Sequence, residues 1–188
     1  MSPVIFLNGL VALTLAMGVG PSISEAKGPV RASAEIQGCT DPNIVGTAQL
    51  TEEKTEEGIK EVKVMMMVKG LTPGKHAVHI HEAGDCDACS AAMGHFDPGN
   101  FGEPAPNANH PFHSGDLINI EANKNGNAHL NTTTTRVTLS PGPLSLFDGD
   151  GSAFIIHVLE DTYCPAGNVT DCAGGGRAAC GIITLDDN

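Results

Sequence analysis

The feature that most constrains this chain is an alternation of apolar and polar residues with a period of two. Side chains of a strand point alternately to opposite faces, so this pattern is typical of strands with one buried and one solvent-facing side. No segment has the period of an amphipathic helix, and residues rich in turn chemistry separate the alternating segments. The pattern predicts eight strands, over residues 31–37, 45–52, 61–68, 75–81, 115–122, 128–139, 153–158 and 178–185. We therefore predict an all-β domain, an antiparallel sandwich or barrel.

Two of the predicted connections are unusually long, residues 82–114 and 159–176. Long connections without secondary structure in a compact domain are commonly functional. These two also contain most of the histidines, cysteines and glycines that lie outside the strands. We expect the functional groups to be concentrated there.

The first 26 residues differ from the rest of the chain. Residues 4–17 are mostly apolar, and Ser24-Glu25-Ala26 supplies the small residues of a cleavage site, so we predict a signal peptide over 1–26. The alternative is a membrane anchor, but Asn8 and Gly9 interrupt a stretch too short for a span. A single domain over 27–188 is then expected to be secreted, or periplasmic in a bacterium.

The formal charge is −12, and it becomes −11 when Glu25 is removed with the signal. Such a charge makes nucleic acid and anionic membranes poor partners. The six cysteines of an exported chain are expected to form disulfides. Asn131 and Asn168 each begin a glycosylation sequon, which matters only in a eukaryotic source.

Histidines occur in strands where imidazole is unusual. His79 and His81 share one face of a predicted strand, where both rings can bind the same metal ion, whereas His76 has the opposite parity. His157 lies in an otherwise apolar strand, where a polar ring without a partner is costly. The first long connection adds His95, His110, His113 and Asp116, three imidazoles and a carboxylate that suit tetrahedral zinc.

Five strings resemble the copper/zinc superoxide dismutases in order and nearly in spacing: HAVHIHEAGDC, CSAAMGHFDP, HSGDL, AFIIHVLED and GGGRAACGII. The resemblance extends from about residue 31 to residue 185. It implies an eight-stranded antiparallel Greek-key β-barrel with two long functional loops. It also implies dismutation of superoxide to dioxygen and hydrogen peroxide by copper, bridged to a structural zinc.

The resemblance assigns roles to individual residues. Copper would be bound by His79, His81, His95 and His157, and zinc by His95, His113 and Asp116. His95 would bridge the two metals and accept a proton during turnover. Arg177 would pair with the anionic substrate, Asp161 would bridge the two sites through hydrogen bonds, and His76 would be structural.

The chain departs from the family at the third zinc histidine. Residues 101–104 occupy the expected place, and His110 stands only three residues before His113. Either His110 binds zinc, or Glu103 supplies an oxygen, or zinc is weak or absent. We predict that zinc is bound less tightly than copper.

The cysteine pairing is left open by the sequence. The resemblance implies that Cys180 pairs with Cys89 or with Cys86. Cys164 and Cys172 could pair with each other, or one of them with Cys39. The run Met65-Met66-Met67 suggests copper affinity, but on a strand it is interpreted as packing, and His129 as a surface residue.

Two other functions are compatible with part of this pattern. A zinc hydrolase of carbonic-anhydrase type also uses His-x-His and a third histidine, but the second metal cluster and Arg177 argue against it. A secreted metal-binding relative without turnover is disfavoured by the complete copper set with His95 and Arg177. The family allows a homodimer without requiring one. Because no Lys or Arg lies between Arg136 and Arg177, we expect weak electrostatic steering of superoxide.

Overall fold

The computed structural model describes residues 1, 28–99, 110–165 and 169–187. The predicted signal peptide, Glu103 and Asn168 lie outside these ranges. No helix in the described part of the chain is long and apolar enough to cross a membrane.

Within the described ranges, ten strands form one antiparallel sheet, and one short 3₁₀ helix, Cys89–Ala92, accompanies them. The strands are β1 (Val30–Gly38), β2 (Val45–Lys54), β3 (Lys60–Lys69), β4 (Gly74–His76), β5 (Val78–His81), β6 (Ile120–Ala122), β7 (Ala128–Thr134), β8 (Ala153–His157), β9 (Arg177–Ile182) and β10 (Thr184–Leu185). Their order is β4-β6-β7-β3-β2-β1-β9-β8-β5, with β10 paired to β1. The two edge strands, β4 and β5, are separated in sequence only by Ala77, so the sheet curls into a nearly closed barrel. The predicted all-β class is confirmed.

Four predicted strands agree with observed ones to within two residues at each end, and the other four are divided or shortened. The segment 75–81 is two strands, because β4 pairs with β6 whereas β5 pairs with β8. At the junction the Ala77 N–H donates to the Leu159 carbonyl, and the Ala77 carbonyl accepts from the His157 N–H. The segment 178–185 is divided at Ile183, whose N–H donates to the Ser152 carbonyl instead of continuing the ladder.

The other two predicted strands are too long. Residues 115–119 are not part of β6, because this segment wraps around the buried Asp116 carboxylate. Strand β7 ends at Thr134, and the chain beyond it turns so that the Leu139 and Ser140 N–H groups donate to the Glu52 carboxylate. In the second segment a carboxylate receives the backbone hydrogen bonds, whereas in the first the Gly115 N–H donates to the Phe96 carbonyl and the Gly115 carbonyl accepts from the Ile80 N–H of β5.

The barrel core follows the alternation of β1, β2 and β3. On β3 the buried residues are Val62, Val64, Met66 and Val68, and the intervening side chains face outward. The predicted packing role is therefore confirmed for Met66. It is wrong for the other two methionines, since Met65 is 39% exposed and Met67 is 62% exposed. His129 on β7 is exposed, as predicted.

All six cysteines form disulfides. Cys86 pairs with Cys180, Cys39 with Cys89, and Cys164 with Cys172. Of the two partners left open for Cys180, the structure therefore selects Cys86. The first two bridges tie the start of the long loop after β5 to β9 and to the end of β1. The third closes a short ring within the loop between β8 and β9.

Candidate metal centre

One face of β5 is covered by loops while the other packs in the core, so all four of its residues are buried. Val78 and Ile80 belong to the core, which leaves His79 and His81 together on the opposite face. Strand β8 pairs with β5 and ends at His157, where a register irregularity with β9 falls between Ile156 and His157. His157 therefore lies next to His79, and His79 Nδ1 is 3.1 Å from His157 Nε2.

Four histidines converge at this face: His79, His81, His95 and His157. Each offers a ring nitrogen, and these four atoms all lie within 4.8 Å of one another. His95 is brought to the group by the loop after β5, which runs alongside the strand: the Phe96 N–H donates to the Ile80 carbonyl. We name these four residues the four-histidine group.

The remaining nitrogen of three of these rings is held by an acceptor. His81 Nδ1 donates to the Met93 carbonyl at 2.9 Å, and His157 Nδ1 to the Gly175 carbonyl at 2.9 Å. His79 Nε2 lies 3.0 Å from Asp161 Oδ2. These bonds place the proton on the outer nitrogen and direct the inner lone pairs towards the centre of the group, as in ligand histidines.

The inner nitrogen of His81 gives the clearest sign of a ligand. His81 Nε2 is buried and has no hydrogen-bond partner among the described residues. Leaving a buried polar atom unpaired costs roughly 1–3 kcal/mol. A metal ion at the centre of the group would satisfy this atom, so the residues present fit a metal.

The electrostatics also favour metal binding. Burial lowers the pKa of His79 to about 4, of His81 to about 2 and of His157 to about 3. For His81 the neighbouring His95 adds to the effect of burial, and for His157 the neighbouring His79 does. These rings are therefore neutral at physiological pH, which is the form that binds a metal.

A second group adjoins the first and consists of His79, His95, His110 and Asp116, again with ligand atoms within 4.8 Å of one another. His95 Nδ1 is 2.7 Å from Asp116 Oδ1, and His110 Nδ1 is 3.1 Å from Asp116 Oδ2. His113 also reaches this carboxylate, with Nδ1 3.0 Å from Oδ2.

The predicted zinc residues His95, His110, His113 and Asp116 are thus brought together around one carboxylate, and we call them the carboxylate group. Of the two candidates for the third nitrogen or oxygen ligand, His110 lies at this point of the fold, whereas Glu103 lies outside the described residues.

Charge in the carboxylate group is unusual for a buried site. Burial would raise the pKa of Asp116, but hydrogen bonds from His110, His113 and His95 outweigh it and hold the pKa far below its ordinary value. Burial would lower the pKa of His110, but Asp116 and Asp161 outweigh it and raise the pKa to about 9. Two buried carboxylates therefore create a strong demand for positive charge, which a divalent cation satisfies.

Asp161 connects the two groups. Its Oδ2 is 3.0 Å from His79 Nε2 and 2.7 Å from His110 Nε2. Burial would raise the pKa of Asp161, but the hydrogen bonds of His110 and His79 and of the Tyr163 N–H hold it low. Asn119 fixes the backbone of this residue, accepting from the Asp161 N–H and donating to its carbonyl. Asp161 therefore contacts one histidine of each group.

Arg136 is a functional residue that the sequence analysis missed. Its guanidinium donates to the Pro111 carbonyl at 3.0 Å and to the Asp116 carbonyl. Both carbonyls belong to the segment from His110 to Asp116, so the arginine holds the two ends of this segment together. No sequence signal marked it, because a single arginine just after a strand is ordinarily a surface residue.

Arg177, the first residue of β9, lies beside the four-histidine group. It donates to the Cys89 and Met93 carbonyls, and the Met93 carbonyl also accepts from His81 Nδ1. Arginine and histidine are thus fixed by the same backbone atom. The preceding glycines allow this approach: at Gly174 a Cβ would lie 2.7 Å from the His157 Cβ, and φ is +98°.

Comparisons with known proteins agree with this geometry. The family described as copper/zinc superoxide dismutase matches residues 44–183. The chain is 36% identical over 183 residues to "Superoxide dismutase [Cu-Zn] 2" of Aquifex aeolicus (strain VF5), covering 94% of this chain and 98% of that protein. Its structure is similar to the crystal structure of the clock protein EA4, with a TM-score of 0.67, 28% identity, and coverage of 84% of this chain and 96% of the other.

Proposed function

The chain belongs to the copper/zinc superoxide dismutase family, and we propose that the four-histidine group binds its copper and the carboxylate group its zinc. The activity is the dismutation of superoxide. Bound copper would supply one-electron exchange with two superoxide ions in turn, so that one is oxidised to dioxygen and the other, with two protons taken up, is reduced to hydrogen peroxide. The observation that carries the assignment is the buried His81 Nε2, which has no hydrogen-bond partner among the described residues although four ring nitrogens converge around it.

His95 is the one ring in this assignment that belongs to both groups. Its Nδ1 faces Asp116 and the zinc position, so its Nε2 is left for the four-histidine group. When Nε2 is free of metal it can hold a proton, and an N–H there would donate to a bound oxygen anion. The contact of Nδ1 with the carboxylate group keeps the ring in one orientation while Nε2 changes its partner.

Arg177 provides the positive charge for substrate binding. Its two hydrogen bonds to backbone carbonyls leave the guanidinium charge uncompensated by any carboxylate in the described part of the chain. Burial lowers its pKa from the ordinary value, but an arginine remains charged at physiological pH. We infer that Arg177 pairs with superoxide and stabilises charge that develops on it.

The carboxylate group supports zinc binding through a re-routed ligand. His110 contacts Asp116 with one nitrogen and Asp161 with the other, so it reaches both the zinc position and the bridging carboxylate. Because its loop is held by few strand hydrogen bonds, zinc is expected to be bound less tightly than copper. Metal analysis that finds copper but no zinc in protein purified without added metal would contradict this proposal.

The two other functions are not favoured. The family match argues against a zinc hydrolase. A binding protein without turnover would not need Arg177 beside a complete four-histidine group.

We also propose that the protein is exported. Three disulfides and the apolar start of the chain support a secreted or periplasmic protein. N-terminal sequencing of protein from its native compartment should then begin at Lys27. The family also allows a homodimer, which sedimentation analysis would distinguish from a monomer.

One experiment tests the functional assignment directly. Purified protein is loaded with copper and zinc, and its visible copper absorption, metal content and rate of superoxide consumption are measured together. We expect about one copper and one zinc per chain and rapid consumption. Loss of copper with unchanged superoxide consumption would refute the assignment of the four-histidine group.

A further inference from the structure

Three side chains with affinity for soft metals lie together on the outer face of the barrel, away from the metal centre. Met65 and Met67 are two residues apart on β3 and point to the same side. In the register between β3 and β7, Met67 is directly opposite His129. All three are exposed. We call Met65, Met67 and His129 the outer methionine cluster.

The cluster is compact by strand geometry. Residues directly opposite on antiparallel strands have Cβ atoms about 4.5–5.5 Å apart, and diagonal neighbours about 7–8 Å. Methionine has three rotatable side-chain bonds, so both sulfurs can swing towards the imidazole of His129. The ring is available, because it makes no hydrogen bond or ion pair with any residue that the structure describes.

The surroundings add shape and charge. Met67 and His129 line a surface groove of about 960 Å³ that crosses β1, β2, β3 and β7. Glu35 and Glu121 also line it, against a single cation, Lys69. In the ladder, Glu35 is opposite Thr47 and Thr47 opposite Met67, so a carboxylate stands in the same row as the thioether and the imidazole. The groove is therefore net negative.

Packing does not account for the two methionines. Met66, between them, belongs to the core, whereas Met67 is 62% exposed. Two thioethers are soft donors that suit Cu(I), imidazole is a common copper ligand, and thioethers are poor ligands for hard cations. No described cysteine competes for the ion, because all six are in disulfides.

We propose that the outer methionine cluster is a second copper site, which binds Cu(I). It is distinct from the metal centre, since the core residues of β3 and β7 lie between the cluster and β5 and β8. The proposal involves binding only, with no change in the oxidation state of the ion, and it does not depend on which residues bind the copper and zinc of the metal centre.

The test uses the full protein, already loaded with copper and zinc and reduced with ascorbate so that the centre cannot oxidise the probe. Cu(I) is then added anaerobically in competition with a Cu(I)-specific chelator. We expect one further copper per chain to be retained. The exposed variants Met67→Leu and His129→Ala should each weaken its retention by at least about tenfold.

Met66→Leu is the matched control, because it removes a sulfur one residue away that points into the core. It should retain the further copper as the parent does. Methionine methyl resonances in NMR spectra supply a second measurement: those of Met65 and Met67 should shift on addition of Cu(I), and that of Met66 should not. Zn(II) added instead of Cu(I) should shift none of them.

Three results would overturn the proposal. The first is that no further copper is retained by the loaded parent protein. The second is that Met66→Leu weakens retention as much as Met67→Leu. The third is that Zn(II) binds in the same place with similar affinity, which would indicate ordinary adsorption to an exposed histidine.

Discussion

The two halves of the metal centre are built in different ways. In the four-histidine group, three side chains stand on paired strands, two on β5 and one at the end of β8. In the carboxylate group, His110, His113 and Asp116 all lie in one loop segment before β6. That segment is held by side chains: Arg136 closes it from outside, and Asp161 contacts His110 from within. Strand-mounted ligands are positioned by the barrel itself, whereas loop-mounted ligands depend on a few specific contacts.

The strand-mounted half, the four-histidine group, is tested by replacing one of its histidines. His157→Gln removes a ring nitrogen of the four-histidine group, and we expect bound copper to be lost and superoxide consumption to fall by more than about 100-fold. Zinc should be retained. His110→Gln should do the reverse, with zinc lost and copper kept. Equal loss of both metals from both variants, measured by elemental analysis, would contradict the distinction between the halves.

Asp161 contacts both halves, through His79 and His110, so Asp161→Asn should weaken both metals. The amide has no negative charge and replaces one accepting oxygen by an NH₂ group, so we expect each affinity to fall roughly 10- to 100-fold. The measurement is competition with a chelator for each metal in turn. If only one metal is affected, then Asp161 supports only that half.

Arg136 tests the loop-mounted half alone. Arg136→Gln removes the hydrogen bonds to the Pro111 and Asp116 carbonyls, and we expect zinc affinity to fall roughly tenfold while copper affinity stays within about twofold. The visible spectrum of Co(II) at the zinc position should also change, since the ligands are no longer held in place. Arg31→Gln, at an exposed arginine bonded only to Thr51, is the control. A cobalt spectrum of Arg136→Gln identical to that of the parent would show that the loop keeps its conformation without this arginine.

Glu52 provides a comparison far from the metals. Its carboxylate accepts hydrogen bonds from the Leu139 and Ser140 N–H groups, at 2.6 and 2.8 Å, and from the Ser140 hydroxyl. Burial would raise the pKa of Glu52, but these bonds, together with Lys60, hold it below the ordinary value. The carboxylate therefore stabilises the fold fully above the pKa of the unfolded chain, and this contribution is lost as the pH falls through the folded value.

We accordingly expect Glu52→Gln to lower the free energy of unfolding at neutral pH by about 1–2 kcal/mol, without changing metal content. The difference from the parent should shrink in acid, below about pH 4.5. Guanidinium unfolding at several pH values measures it, with the adjacent, exposed Glu53→Gln as the control. A difference independent of pH would show that packing, not charge, is responsible.

The smallest predicted effect is on substrate steering. The chain carries a charge of −12, and no Lys or Arg lies between Arg136 and Arg177, so only Arg177 and the metals attract superoxide over this stretch. We expect the rate to change less than about twofold between low and physiological ionic strength, because attraction and repulsion are both screened. A steep fall of the rate with added salt would indicate that other positive groups attract superoxide.

The sequence by itself predicted whatever depends on local periodicity. The all-β class and the shared face of His79 and His81 follow from side-chain alternation, and the need of His157 for a partner follows from the cost of burying an unpaired ring. The placement of His157 beside the other two was implied by the family resemblance. Reasoning from strand packing put Met66 in the core but failed to see Met65 and Met67 as outward-facing. Treating three consecutive residues of a strand as one unit ignored the alternation that was correct elsewhere.

Only the tertiary structure decided which distant groups meet. The choice of Cys86 over Cys89 for Cys180, the break between β4 and β5 at Ala77, and the position of His110 against Asp116 and Asp161 all involve contacts across long loops. Arg136 belongs to the same class, since the carbonyls that it binds are 25 and 20 residues away. Backbone geometry repeats along a strand and can be read locally, whereas the path of a loop is set by the partners that its polar groups find.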